Sequence, residues 1–191
     1  MEVSSVGKRM KSYRQEQGLS LEELSERSGV SVRLIEEIEE HDTYPTLQPL
    51  VRLARALGQR LGTFLDDQYQ NDGNPTVVRL SERKETLVMH NENNRDEAAY
   101  RYQSLGMGKT DRHMEPFFIT IMPTEKPMDK KSHEGEEFIV VIKGTLRLEY
   151  GSKVTLLEEG DSTYYNSVVP HAVYAEGGEP CEVYAVVYLP Q

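Results

Sequence analysis

The spacing of apolar residues changes once along the chain. Up to about Leu65 the apolar residues recur every three or four positions, which is the period of one face of an α-helix. After about Val77 they form runs of four to eight residues rich in Val, Ile, Tyr and Thr and separated by Gly, Pro and Asn, a pattern typical of β-strands. The pattern predicts a multidomain α plus β protein, with helical residues 1–66, a polar linker 67–76 and an all-β domain 77–191.

Helix start and stop signals divide the first domain. Ser20 and Glu23 form a capping box, and the helix that they open ends at Gly29, a residue suited to a left-handed turn. Ser31 is positioned to cap the next helix, and Thr46 begins a further one. A helix, a tight glycine turn and a second helix have the spacing of a helix-turn-helix.

The second domain shows no helical period. Ten short strands within about a hundred residues predict a sandwich or a barrel. They are expected near residues 77–80, 86–90, 98–104, 117–122, 137–142, 145–150, 153–157, 162–166, 171–175 and 182–188.

Composition narrows the class of protein. Hydrophobic residues make up 37% and charged residues 28%, which is typical of a globular chain rather than a disordered one. We expect neither a membrane span nor a signal peptide, and the single cysteine, Cys181, fits a reducing compartment. The expected location is therefore the cytoplasm. Because its net charge is −10, the chain as a whole repels the phosphates of a nucleic acid. Any attraction to them must come from a local cluster of basic residues.

An ordered set of small, capping and apolar residues runs through the first domain. It comprises Gly7, Arg14, Gln17, Leu19, Ser20, Glu22, Glu23, Leu24, Gly29, Val30, Ser31, Ile35, Ile38, Glu39, Pro45, Thr46, Leu50, Leu53 and Ala54. This set resembles the Cro/CI-like, or xenobiotic-response-element (XRE), family of transcriptional regulators. The resemblance implies a five-helix, lambda-repressor-like bundle that binds operator DNA through the helix beginning near Val32.

The same resemblance supplies the expected DNA contacts and one structural pair. Arg33 is the natural reader of guanine, and Glu39 is expected to pair with Arg14. Three acids at Glu36, Glu37 and Glu40 are unusual for a DNA-binding helix, so two interpretations remain open. The domain binds DNA with low non-specific affinity, or it is a degenerate domain that no longer binds. The expected contact residues are Lys8, Arg9, Ser31, Val32, Arg33, Glu36 and Glu37.

Two segments of the β-rich half carry a second resemblance. Residues 133–144 place His133 and Glu137 ahead of Gly144, and Gly160-Asp161 is followed by Val169-Pro170-His171. Both resemble the paired motifs of the cupin family, which implies a double-stranded β-helix, or jelly-roll, barrel. His133, Glu137 and His171 would then form a facial triad that holds a divalent metal (Fe, Mn, Zn or Ni). Lys131 stands where the family often has a fourth ligand.

A third segment is a candidate effector site. Residues 100–105 alternate, with Tyr100, Tyr102 and Ser104 on one face of a strand and Arg101 on the other. Either an ordinary packed strand or the lining of a ligand cavity explains this alternation. In the second case Tyr100 and Tyr102, or Arg101, would contact a small-molecule effector, and Lys131 would add a positive charge beside an anion.

Taken together, the two resemblances imply a non-enzymatic transcriptional regulator. Its cupin domain would bind an effector or a metal and form a homodimer, because one recognition helix reads too few bases. The alternative is an enzyme, because the same layout also resembles hydroxypropylphosphonic acid epoxidase, a mononuclear non-haem iron oxidase. A cupin domain that only dimerises is the third interpretation.

Overall fold

The computed structural model describes residues 5–41, 43–44, 46–65, 74–91, 94–109, 111–124 and 129–190. The chain divides into two compact units. One comprises Met1–Val77 with Gly106–Arg112, and the other comprises Val78–Leu105 with His113–Gln191. Most of the predicted linker, residues 67–73, lies outside the described residues. No helix in the described ranges is long and apolar enough to cross a membrane.

The first unit contains the five helices that the resemblance implies. The Ser20–Glu23 capping box is present, and Gly29 ends its helix in the left-handed conformation with φ +67°. The third helix packs against the first two. The helices are α1 (Val6–Glu16), α2 (Leu21–Ser28), α3 (Val32–His41), α4 (Leu47–Ala56) and α5 (Leu61–Leu65).

A buried ion pair lies inside this bundle. Arg14 on α1 donates from Nε and Nη2 to the two carboxylate oxygens of Glu39 on α3, at 2.7 and 2.6 Å. A third donor, Nη1 of Arg14, reaches the carbonyl of Leu19 at 2.9 Å. The side chains of Arg14 and Glu39 are only 10% and 2% exposed. The expected pairing of Arg14 with Glu39 is therefore confirmed, and it joins α1 to α3.

The second unit is an antiparallel barrel of two sheets. The larger sheet has the order β1-β2-β3-β9-β4-β7, and the smaller has the order β6-β5-β8. The strands are β1 (Leu87–Asn91), β2 (Asn94–Ser104), β3 (Met114–Ile121), β4 (Glu136–Lys143), β5 (Thr145–Tyr150), β6 (Lys153–Leu157), β7 (Ser162–Asn166), β8 (His171–Glu176) and β9 (Cys181–Tyr188).

The barrel core follows the alternation of its strands. Phe117 on β3, Ile139 on β4 and Val183 on β9 are buried inside, whereas the residues next to them in sequence face outward. The first cupin motif includes β4, and the second includes β7. The two motifs meet because these strands are neighbours in the larger sheet.

One predicted strand is wrong. Residues 77–80 do not form a strand, and the chain makes a short 3-10 helix at Leu80–Glu82 instead. Val77 and Leu80 are exposed, so this apolar run has no partner strand to bury it. The other nine predicted strands all have counterparts among the described residues.

Candidate metal centre and nucleic-acid interface

Side chains from two distant segments of the second unit, residues 133–137 and His171, meet at one point. The ligand atoms of His133, Glu137 and His171 all lie within 4.8 Å of one another. Nε2 of His133 is 2.8 Å from Oε1 of Glu137, and Nε2 of His171 is 3.2 Å from the same oxygen. The three side chains are only 10–14% exposed. The structure thus brings together the three residues that the cupin resemblance implied as ligands.

Backbone pairing places the two histidines. His171 opens β8 and exchanges two backbone hydrogen bonds with Lys131, each 2.9 Å long. The backbone N–H of His133 donates to the carbonyl of Ser167 at 2.9 Å. Directly paired residues of an antiparallel ladder share a face of the sheet, so Lys131 lies on the same face as His171.

Gly135 lets the segment between His133 and Glu137 lie close to β9. Its φ is +111°, a conformation that favours glycine. A Cβ atom at this position would lie 1.9 Å from the backbone carbonyl oxygen of Tyr188, and that oxygen belongs to a strand that cannot easily move. The close approach explains why a glycine stands between the two candidate ligands.

Replacing Gly135 with alanine is expected to destabilise the barrel by more than about 3 kcal/mol, because backbone strain and a steric overlap act together. The measurement is chemical unfolding followed by circular dichroism. Gly160→Ala is the matched control, since Gly160 also has a positive φ of +90° but has nothing within 4 Å of its Cβ position. Equal destabilisation by the two variants would show that the contact with Tyr188 is unimportant.

Both imidazole rings are oriented by backbone carbonyls. Nδ1 of His133 is 3.1 Å from the carbonyl of Glu134, and Nδ1 of His171 is 2.8 Å from the carbonyl of Val169. A carbonyl only accepts hydrogen bonds, so Nδ1 carries the proton in each ring. In each ring Nε2 then faces the carboxylate of Glu137, either as a proton donor or with its lone pair. Nitrogen lone pairs and a carboxylate oxygen this close together repel one another unless protons or a cation lie between them.

Two further side chains hold Glu137 in place. The hydroxyl of Tyr165 donates to Oε2 at 2.8 Å, and Oγ of Ser167 donates to Oε1 at 3.0 Å. Tyr165 faces Glu137 directly across the β4–β7 pair. Sequence reasoning missed both residues, although they alternate with Val169 and His171 along the second motif. Their role depends on strand pairing, which the sequence does not encode locally.

The ionisable groups of this cluster change one another's pKa values. Burial opposes ionisation of Glu137, but hydrogen bonds and charge from His133 and His171 hold the pKa of its carboxyl far below the usual range. Burial likewise opposes charging of His133, yet its hydrogen bond to Glu137 leaves the pKa of His133 raised. Burial and the charge of Glu137 raise the pKa of Tyr165, which therefore stays protonated as a donor. The ionised Glu137 is thus an anionic ligand ready to accept a cation.

The predicted tyrosine segment lies on β2 with its tyrosine face inward. Tyr100 and Tyr102 are buried, while Arg101 lies outside and pairs with Glu85 at 2.8 Å. The hydroxyl of Tyr100 donates to the carbonyl of Val173. Within the described ranges no group hydrogen-bonds to the hydroxyl of Tyr102, whose ring packs edge-on against Phe117. Burial and the charge of Glu137 raise the pKa of Tyr102, so this phenol stays a protonated donor.

The acidic recognition helix is largely neutralised within the first unit. Glu37 lies 3.2 Å from Nε of Arg33, Glu40 lies 2.5 Å from Nζ of Lys11, and Glu39 pairs with Arg14. Glu36 is exposed. Arg33 is 83% exposed in the first turn of α3, as a base-reading side chain requires. Most of the acidic run therefore serves to pair the basic residues of α1 and α3.

The other expected DNA contacts differ in their surroundings. Lys8 is exposed on α1, whereas Nε of Arg9 donates to the carbonyl of Phe64 at 2.7 Å. Ser31 precedes α3 and accepts from the backbone N–H of Leu34 at 3.4 Å, and Val32 is the first residue of α3. A groove of about 520 Å³ runs beside α3 and is lined in part by Lys11, Arg33, Glu36 and Glu40.

Comparisons with known proteins agree with both resemblances. The helix-turn-helix family matches residues 10–64, and the cupin domain family matches residues 117–187. The chain is 26% identical over 184 residues to the HTH-type transcriptional regulator PuuR of Escherichia coli (strain K12). That match covers 93% of this chain and 91% of PuuR. The predicted fold class, a helix-turn-helix bundle followed by a β-rich cupin domain, is confirmed.

Two further proteins are similar to this chain. It is 27% identical over 140 residues to (S)-2-hydroxypropylphosphonic acid epoxidase of Streptomyces wedmorensis, covering 70% of this chain and 69% of the epoxidase. A crystal structure of an HTH_3 family transcriptional regulator from Vibrio cholerae aligns with a TM-score of 0.64 and 22% identity. This alignment covers 97% of this chain and 96% of the other and establishes a shared fold.

Proposed function

We propose that this chain, in which a helix-turn-helix domain precedes a cupin domain, is a DNA-binding transcriptional regulator controlled through its cupin domain. The observation that carries the proposal is the match to PuuR, a transcriptional regulator, across both domains. The exposure of Arg33 at the start of α3 and the internal pairing of Glu37, Glu39 and Glu40 support DNA binding.

Arg33 is proposed as the residue that reads the operator. Arg33→Ala is expected to lower affinity for the operator by roughly 5- to 150-fold and to reduce discrimination at one guanine, since a bidentate contact supplies about 1–3 kcal/mol. The measurement is a mobility-shift titration on DNA selected from random sequences or from the region upstream of the gene. Arg101→Ala is the control, because Arg101 is also exposed and also paired with a glutamate but lies in the barrel.

The wild-type titration also tests the proposed function. Sequence-specific binding by the wild type that Arg33→Ala weakens would support a regulator. No sequence-specific binding by the wild type at low salt would leave only the degenerate interpretation of the first domain.

The cupin domain is proposed to hold a divalent metal through His133, Glu137 and His171. Two imidazoles and one carboxylate suit iron, manganese, zinc or nickel and leave further coordination positions open. With Nδ1 of each ring directed at a backbone carbonyl, a metal bound at Nε2 would lie between two ring nitrogens and the negative charge of Glu137, and this arrangement fits a cation. A bound metal would supply a positive charge that attracts an anionic effector.

Tyr102, Tyr100 and Lys131 are the proposed effector contacts. The Tyr102 hydroxyl is a buried donor that remains available to an acceptor near the metal centre. Lys131 lies on the same sheet face as His171 and would place a positive charge beside an anion. An effector can regulate DNA affinity only if it favours one arrangement of two DNA-reading heads over another.

Tyr165 is proposed to position Glu137 for metal binding. Tyr165→Phe is expected to lower metal affinity roughly 10- to 100-fold, as is usual when a partner of a ligating carboxylate is removed. Calorimetric titration with Zn²⁺ measures the change. Tyr164→Phe is the control, because the Tyr164 hydroxyl donates to Glu136 on the outer face instead. Equal affinity in wild type and Tyr165→Phe would contradict the positioning role.

A second candidate function is a mononuclear iron oxidase, favoured by the epoxidase relative and by the His133, Glu137 and His171 cluster. Oxygen consumption by the iron-loaded protein with a hydroxyalkylphosphonate separates the two functions. Turnover without sequence-specific DNA binding would favour the enzyme, and DNA binding without turnover would favour the regulator.

A further inference from the structure

The outer face of the larger sheet exposes large apolar side chains. They project from β3, β4, β7 and β9, away from the metal centre, and each is 36–65% exposed. We call them the outer-sheet patch, and they are Met114, Phe138, Ile142, Tyr164, Tyr184 and Tyr188.

Strand register makes most of this patch continuous. Phe138 stands between Val186 and Tyr164, and Tyr184 stands beside Phe118. Directly paired residues share a face of the sheet, so these side chains adjoin one another across four neighbouring strands. Met114 pairs with Tyr188 in the next row and extends the same surface.

The size of the patch is close to what a dimer needs. Six large side chains, each of roughly 200 Å² and about half exposed, leave about 600 Å² of apolar surface open to water. Soluble monomers rarely expose more than this in one patch. A stable interface buries about 800 Å² on each partner, so the patch and its polar rim account for one side of such an interface.

The chemistry of the patch also fits a protein interface. The guanidinium of Arg83 lies 5.8 and 5.7 Å from the ring centres of Phe118 and Tyr184. Tyr, Phe, Met and Arg are the residue types enriched at interface centres. Glu136 accepts a hydrogen bond from Tyr164 elsewhere on the same face. Lys143 and Glu182, which pair across β4 and β9, lie at one end of the same face. The charges of Arg83, Lys143, Glu136 and Glu182 balance, on a chain whose net charge is −10.

This charge distribution favours a second copy of the same chain as the occupant. In a two-fold interface each patch meets its own copy, so a face with balanced charges meets no excess of its own sign. A strongly acidic chain would be repelled from its copy over most of its surface, whereas this face is apolar and balanced in charge.

We infer that the outer-sheet patch is the surface through which two copies of this chain associate. The inference deepens the proposed function and rests on it, since a regulator that reads two half-sites needs two recognition helices. It assigns dimerisation to the sheet face opposite the metal centre.

The test is the mass in solution of the full chain and its variants, measured by light scattering and sedimentation. The wild type is expected at about twice its chain mass of 21.8 kDa. Phe138→Glu and Tyr164→Glu are each expected to raise the dimer dissociation constant by at least about 30-fold, because each puts an unpaired charge into a desolvated interface. Leu156→Glu is the control, since Leu156 is 55% exposed, between Phe138 and Tyr164, but lies on β6 of the other sheet.

Tyr164→Glu is included in case Phe138→Glu fails to fold. Tyr164 is the more exposed of the two residues and lies on a strand at the edge of the larger sheet, so its replacement disturbs the core less. Circular dichroism confirms that each variant is folded. Dimers in the wild type and Leu156→Glu with monomers in both patch variants would support the inference. A monomeric wild type, or folded patch variants with unchanged dimer affinity, would overturn it. DNA binding is measured separately. A dimer that does not bind DNA would contradict the proposed function without contradicting the proposed interface.

Discussion

Replacing His133 or His171 with alanine is expected to remove stoichiometric metal from this protein. Each histidine offers one of three ligand atoms that lie within 4.8 Å of one another, and the loss of either leaves one imidazole and one carboxylate. We expect the affinity for Zn²⁺ or Fe²⁺ to fall more than about 100-fold, which exceeds the effect of removing a supporting hydrogen bond.

The measurement is elemental analysis of protein purified without chelators, followed by titration of the metal-free protein. His113→Ala is the matched control, because His113 is exposed and lies apart from the cluster. Metal retained equally by wild type and both alanine variants would exclude these histidines as ligands. Wild-type protein that binds no metal at all would leave the tyrosines of β2 as the basis of an organic-effector site.

The second large effect is expected at the buried ion pair of the first unit. Arg14→Ala leaves the carboxylate of Glu39 buried without its partner, which destabilises a domain by about 3–5 kcal/mol. Because α3 is held to α1 through this pair, DNA binding should be lost as the helical domain unfolds. Urea denaturation followed by circular dichroism near 222 nm reports on the helices.

The exposed pair between Lys11 and Glu40 provides the comparison. It joins the same two helices, yet its side chains are 33% and 53% exposed, so Lys11→Ala should change stability by less than about 1 kcal/mol. Replacing both Arg14 and Glu39 with Met and Leu should recover much of the stability, since apolar residues of similar size need no charged partner. A single Arg14→Ala variant as stable as Lys11→Ala would show that burial of the pair matters little.

Local signals in the sequence determined the helical half well. The Ser20–Glu23 capping box and the turn at Gly29 depend on contacts within one helix, so a short window of residues contains them. The pairing of Arg14 with Glu39 required more, because it joins residues 25 positions apart, and family resemblance supplied it. The same holds for His133, Glu137 and His171, whose motifs indicated the cluster before any geometry was known.

The prediction of a strand at residues 77–80 is wrong, because a short window of sequence does not show whether a partner strand is present. Their composition is that of a strand, but Val77 and Leu80 find no partner and remain exposed. A strand exists only where another strand accepts its hydrogen bonds, and that condition is not local.

The sequence by itself therefore indicated the fold class and the start and end of α2, because capping and periodicity act over short distances, and family motifs indicated the three candidate ligands. Only the tertiary structure decided that Tyr165 and Ser167 support Glu137, that the tyrosines of β2 face inward, and that Phe138 and Tyr164 share an apolar outer face. The physical reason is strand register, since the pairing of distant segments sets which side chains meet and a shift of one residue would turn each strand over.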